Sequence, residues 1–275
     1  MARPVRAAVI QTRTGTDPAA NLRALGDQVR AAADAGATLI ATPEGSNLLQ
    51  RDKARFSEVA PLVDDPGVIA AYGALAHETG ATLLIGSAVM RRTEGKAANR
   101  SLLFGPDGGL IAQYDKIHLF DVFIGLGNES RESLNYAPGD RAVVADSSAG
   151  RIGMTICYDL RFPHLYRQLA RAGAEIMAIP AAFTVPTGRA HWEILMRARA
   201  IETGSYVLAP AQGGSHEDGR STWGRSLIID PWGVVIAGLD HDEPGMALAD
   251  LDLDIVQETR AKMPAWGFDA EYARP

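Results

Sequence analysis

The chain of 275 residues holds a single cysteine, Cys157, so neither an intramolecular disulfide nor a multi-cysteine metal site can form. Lysine is scarce: four of the 27 basic residues are lysine and the rest are arginine. The six histidines are scattered, with no HExxH or HxH spacing to gather a metal. No glycine pattern matches a phosphate-binding loop or a dinucleotide fingerprint, so nothing calls for a cofactor or a metal. No apolar run approaches the ~20 residues that span a bilayer. The stretch after Met1 lacks the apolar core and cleavage site of a secretory signal. These absences point to the cytoplasm and away from a membrane. A basic excess is missing too: the net charge of −6 argues against a nucleic-acid partner. What remains is 47% hydrophobic and 22% charged, an ordinary globular composition. With no linker rich in Pro, Gly or Ser, residues 1–275 read as one domain.

One unit recurs four times. A helix-like stretch ends, a glycine follows, and an apolar β-type run begins, at Gly36, Gly80, Gly173 and Gly204. Glycine just past a helix can take the left-handed conformation that caps it. The Leu, Ile and Val that follow suit a buried strand. Hairpins separate the units, with turns at Gly105–Gly109, Ser147–Gly150 and Asp230–Gly233. The alternation predicts an α/β layered fold of two similar halves. Residues 115–145, with Gly125, Gly127, Pro138 and Gly139, read as a long loop of functional interest, and the last dozen residues as an extended tail.

Cys157 ends the strand Ile152–Ile156 and precedes a helix that opens at Pro163. A thiol near a helix N-terminus is expected to have a lowered pKa and to be nucleophilic. A buried small hydrophobe is the competing reading. A nucleophile needs a base and an oxyanion stabiliser. Glu44 follows the strand Thr38–Thr42 and Pro43, where open α/β sheets carry chemistry. Partial burial there would raise its pKa toward that of a usable base; a solvated loop glutamate is the alternative. Lys116, after the strand Leu110–Tyr114, offers a compact ammonium for a developing oxyanion, or is a surface lysine. His118, His164 and His191 have weaker claims. A Cys–His acyl hydrolase with His118 or His191 as base is the rival enzyme reading. A catalytically silent binding protein is the non-enzyme reading.

Together these segments resemble the nitrilase superfamily of carbon–nitrogen hydrolases. The matching contexts are Pro43-Glu44-Gly45, Tyr114–Leu119 around Lys116, and Ile156–Pro163 around Cys157. Arg131-Glu132-Ser133 with Pro138-Gly139, Thr187–Glu193, Arg197–Glu202 and Asp230–Gly233 add to the likeness. The resemblance implies a four-layer α-β-β-α sandwich and a homodimer or larger assembly, with the tail from about residue 262 in subunit contacts. It implies a Glu44–Lys116–Cys157 amidase working through a thioester, with Glu132 as a second glutamate that orients the lysine. The backbone N–H of Tyr158 would share the oxyanion with Lys116.

True nitrilases carry Cys-Trp-Glu where this chain has Cys157-Tyr158-Asp159, so the likeness is to the Nit amidases. These act on ω-amides of dicarboxylates and on deaminated glutathione; Thr187–Glu193 and Arg197–Glu202 look closest to the deaminated-glutathione branch. The expected reaction converts a small carboxylate-bearing amide to acid and ammonia, with ω-amidase or aliphatic amidase activity as the alternative. A substrate carboxylate needs a cation or amide donors. Arg161, Arg189 and Arg197 are the candidates, with Phe183, His191 and Trp192 as further pocket residues.

Overall fold

The structure, a computed structural model, describes residues 3–63, 65–123 and 129–273. Gly125, Gly127 and the terminal Arg274-Pro275 lie outside the described residues. The first half runs β1 (Pro4–Gln11), α1 (Pro18–Asp34), β2 (Leu39–Ala41), α2 (Lys53–Val59), α3 (Pro66–Thr79), β3 (Thr82–Met90), β4 (Ala98–Phe104) and β5 (Leu110–Asp115). A short hairpin, β6 (Asp121–Phe123) and β7 (Glu129–Arg131), leads to the second half. That half runs β8 (Val143–Ser147), β9 (Gly150–Met154), α4 (Pro163–Arg171), β10 (Ile176–Ala178), α5 (Val185–Thr203), β11 (Tyr206–Ala209), β12 (Gly213–Ser215), β13 (Ser221–Trp223), β14 (Leu227–Ile229) and β15 (Val235–Gly238). β16 (Gly245–Asp252) and α6 (Asp254–Lys262) follow.

Local chemistry sets these boundaries. Asp17 and Asp65 cap α1 and α3 by accepting backbone N–H bonds, and a proline follows each at the first helical position. Gly80 and Gly204 close α3 and α5 with φ of 62° and 58°, the left-handed cap expected at those junctions.

The halves form two six-stranded sheets of one design. The first is ordered β16-β1-β2-β3-β4-β5 and the second β8-β9-β10-β11-β14-β15. In each, three parallel strands are flanked by an antiparallel hairpin on one side and a single antiparallel strand on the other. Side chains alternate across the first sheet. Ala7, Val9, Leu39, Ala41 and Leu84 share one core with Met154, Ile176, Ala178 and Leu208 of the second sheet. Ala8, Ile10, Ile40, Leu83 and Ile85 pack instead with Leu25 and Val29 of α1 and Tyr72 and Leu75 of α3. Leu165 and Leu169 of α4 and Trp192 and Met196 of α5 cover the far face of the second sheet. The layers are therefore helix, sheet, sheet, helix. Each buried Leu, Ile or Val in them contributes about 1.5–3 kcal/mol.

Two expectations need correction. Residues 115–145 contain β6, β7, the start of β8 and a 3-10 turn at Glu132–Leu134, so they are not simply a loop. The tail is not extended throughout. After a 3-10 turn at Pro264–Gly267, Asp269 pairs with Arg167 of α4 at 2.7 Å. Among the described residues no helix is long and apolar enough to cross a membrane.

Candidate active site

Glu44, Lys116 and Cys157 follow the carboxyl ends of β2, β5 and β9, and one cavity of about 1060 Å³ is lined by all three. The backbone builds each position. At Lys116 the strand has just ended; its N–H donates to the Asn99 carbonyl at 3.0 Å, and its carbonyl accepts from Gly139 at 2.8 Å. A Cβ on Gly139 would lie 2.1 Å from the Asp115 carbonyl, which explains the glycine at 139. Cys157 opens a 3-10 turn (Cys157–Arg161) with φ of 49°, a left-handed conformation that costs a side-chain-bearing residue about 1–2 kcal/mol. Its N–H donates to the Pro180 carbonyl at 2.8 Å. The next N–H, that of Tyr158, has no protein acceptor among the described residues.

The side chains form one buried array. Lys116 Nζ donates to Glu44 Oε1 at 2.8 Å and to Glu132 Oε2 at 2.9 Å, with its own side chain only 2% exposed. Glu44 also accepts from Ala182 N at 2.9 Å, and its carboxylate shares the cavity with the Cys157 thiol. Glu132 Oε2 accepts from Phe120 N at 2.6 Å. Asn99 Nδ2 bridges both carboxylates, at 2.9 Å to Glu44 and 3.3 Å to Glu132. Its Oδ1 is buried without a partner among the described residues. The alternative orientation would set that oxygen against two carboxylates, which fixes the amide this way round.

Electrostatics differ from the sequence expectation at two groups. Burial pushes Glu44 up, but the Lys116 charge and bonds from Lys116, Cys157 and Asn99 outweigh it, so its carboxyl lies below the usual glutamate range. Cys157 moves up, because burial and the Glu44 carboxylate both disfavour thiolate. The helix-terminus argument fails because the thiol is buried and α4 begins only at Pro163, six residues on. Lys116 is buried, yet the charges of Glu132 and Glu44 raise it well above the usual lysine value. These directions favour a carboxylate at Glu44, an ammonium at Lys116 and a neutral thiol at Cys157.

Of the expected pocket residues, Phe183 lines the cavity. Trp192 is buried behind it, 5.1 Å between ring centroids, with its indole N–H on the Arg225 carbonyl. Arg161 lies over the Tyr158 and Phe183 rings and meets exposed His191, outside the cavity wall. Arg189 and Arg197 are on the outward face of α5, and Arg197 holds the Gly233 carbonyl at 2.8 Å. His118 is bound to Asp159 at 2.7 Å and stacked on Phe162, and His164 is exposed. The cavity instead includes Asn99, Tyr136 and Arg220, which sequence reasoning did not single out. Only Asn99 carried a signal, since asparagine is disfavoured within a strand.

Residues 6–261 match the family model described as carbon-nitrogen hydrolase. The chain is 36% identical over 267 residues to a deaminated glutathione amidase of Synechocystis sp., covering 96% of this chain and 97% of that one. It is 40% identical over 260 residues to a deaminated glutathione amidase of Yersinia enterocolitica, covering 94% and 90%. Among solved structures, Saccharomyces cerevisiae Nit3, a member of branch 10 of the nitrilase superfamily, aligns with a TM-score of 0.84 at 28% identity, covering 95% of this chain and 94% of that one. The chain belongs to the carbon–nitrogen hydrolase family of amide-cleaving enzymes.

Proposed function

We propose that this enzyme hydrolyses a carboxylate-bearing linear amide, deaminated glutathione before others, through a thioester on Cys157. The observation that carries the reading is a buried carboxylate 2.8 Å from a buried ammonium, both lining one cavity with the Cys157 thiol. Glu44 takes the thiol proton as sulfur attacks the carbonyl carbon. Lys116 and the Tyr158 N–H hold the oxyanion, each contact worth about 3–4 kcal/mol of barrier. Glu132 orients Lys116. The C–N bond breaks as Glu44 protonates the leaving nitrogen. Water then attacks the thioester, Glu44 takes its proton, and acid and free thiol are released. A peptide-like amide yields an amine here, where a primary amide yields ammonia.

Two features support the substrate class. The cavity, at about 1060 Å³, exceeds what a four- or five-carbon amide fills. Among its described lining residues, eight lysines and arginines face two carboxylates, Glu44 and Glu132. A net-acidic protein with so basic a cavity suits an anionic substrate. The relatives named deaminated glutathione amidase narrow the choice. The test is turnover by the purified protein on deaminated glutathione, α-ketoglutaramate, succinamate and butyramide. Equal efficiency on butyramide refutes the substrate class. Failure on all four with no acylated Cys157 by intact mass refutes the chemistry.

Residues 1–275 act in this reading as one domain, since both sheets contribute to the cavity. A reactive thiol of this kind suits a reducing compartment, hence the cytoplasm. The assembly is a homodimer or larger. Ile194, Ile201, Trp232 and Val234 form an exposed apolar surface on α5 and the β14–β15 turn, a kind of surface that commonly marks an interface.

A further inference from the structure

We propose that Arg220 and Tyr136 form the subsite that binds a free carboxylate of the amide substrate. Both residues line the cavity that holds Cys157. The inference rests on the amidase reading above and adds which groups select the acid.

Arg220 follows the turn between β12 and β13. Its Nε donates to the Asp218 carboxylate at 2.8 Å, Nη2 pairs with the same oxygen at 2.7 Å, and the Asp218 side chain is 1% exposed. The buried acid backs one edge of the guanidinium and fixes its orientation. Nη1 meets no protein acceptor among the described residues. A planar guanidinium held on one edge presents the other for two-point contact with a carboxylate. The remaining cations of the cavity are differently disposed. Lys116 is taken by Glu44 and Glu132, Arg92 pairs with Asp115, and Arg91 and Lys96 bond backbone carbonyls. Arg51, Lys53 and Arg131 are exposed at the rim.

Tyr136 supplies the second donor. Its backbone N–H bonds the Glu132 carbonyl at 3.0 Å, and its ring stands edge-on to Phe56 with centroids 6.2 Å apart. The residue is half-buried, and its hydroxyl has no protein partner among the described residues and is left to a ligand or water in the cavity. Burial and the Glu132 charge raise the phenol above its ordinary value, so it is a neutral donor. A neutral phenol donor and a backed guanidinium that line one cavity are the chemistry a carboxylate needs.

The test compares deaminated glutathione with the same compound methyl-esterified at its carboxylates, so that only charge recognition is removed. Arg220→Met is expected to raise KM for the free acid about tenfold or more, the loss of a charge-assisted bond, with kcat and the ester's KM within about twofold. Tyr136→Phe gives the same selectivity at smaller size, and Arg220→Lys recovers part of the loss. Equal losses on acid and ester, or no loss on either, overturn the proposal while leaving the amidase reading intact. A wild type that cleaves neither compound fails that reading instead. The subsite is then decided by calorimetry with glutarate on Cys157→Ala, with and without Arg220→Met: about tenfold weaker binding supports it, and unchanged binding sinks it.

Discussion

Tyr114 donates its hydroxyl to the Asp159 carboxylate at 2.6 Å, and this bond ties the segment carrying Lys116 to the segment carrying Cys157. Tyr114 lies two residues before Lys116; His118, two residues after it, bonds the other Asp159 oxygen through its backbone N–H at 3.0 Å and its ring at 2.7 Å. Asp159 lies two residues beyond Cys157, is fully buried, and also accepts from Ile156 N at 2.8 Å. One carboxylate thus spans two sheets and sets where ammonium and thiol stand relative to each other. Asp159→Asn keeps the volume but turns an acceptor toward a donor. We expect kcat to fall about 10–100-fold, with KM little changed and stability lowered by about 1.5–3 kcal/mol. Steady-state kinetics beside urea denaturation check both parts.

Removal of the nucleophile or its base has a distinct signature. Cys157→Ala leaves a folded protein with no turnover, and relieves the strain of a left-handed cysteine only slightly. Glu44→Gln is nearly isosteric yet cannot take the thiol proton, so kcat/KM falls by about 10²–10⁴. Circular dichroism confirms folding, and amide turnover reads the loss. Wild-type-like turnover in either variant removes Cys157 or Glu44 from the mechanism.

How much of this was legible follows from how local each feature is. The four helix–glycine–strand units are local, and all four form. β16 is not: it pairs with β1 from Pro4↔Asp252 to Gln11↔Gly245, a match between opposite ends of the chain. β6 and β7 have three residues each, too short for a period to emerge. The triad segments were readable because they resemble a known family. The pocket residues were misjudged on α5 because facing depends on helical phase: 189, 193 and 197 share the outward side, while Trp192, Met196 and Arg199 turn inward. Tyr136 and Arg220 sit in turns whose composition is that of any solvated loop. Only the fold brings them to the cavity.

The coupled charges predict a stability plateau. Glu44 is held below its ordinary value of 4.5, so the unfolded chain takes up its proton first as pH falls. Its contribution is complete above about pH 5 and is lost as pH drops through the folded value. Cys157 is raised above its ordinary 9.0, so the unfolded chain releases its proton first as pH rises, and stability declines above about pH 9. Urea midpoints measured from pH 4 to pH 10 should show both shoulders. Glu44→Gln should remove the Glu44 part of the acid shoulder; an unchanged acid limb in that variant refutes the assignment.

The exposed face of α5 yields the last prediction. Ile194 and Trp232 are 70% and 58% exposed, and Ile201 lies directly against Gly233 of the β14–β15 turn, one residue from Trp232. None touches the cavity that holds Cys157. A charge at the centre of such a surface is desolvated unpaired when a second copy docks on it, which costs several kcal/mol per interface. Ile194→Asp combined with Trp232→Glu should therefore shift the protein to monomer in light scattering at micromolar concentration. Folding of the isolated subunit should be little altered, because both positions face water there. If the wild type is already monomeric, or the double variant keeps the wild-type mass, this face is not the contact between copies.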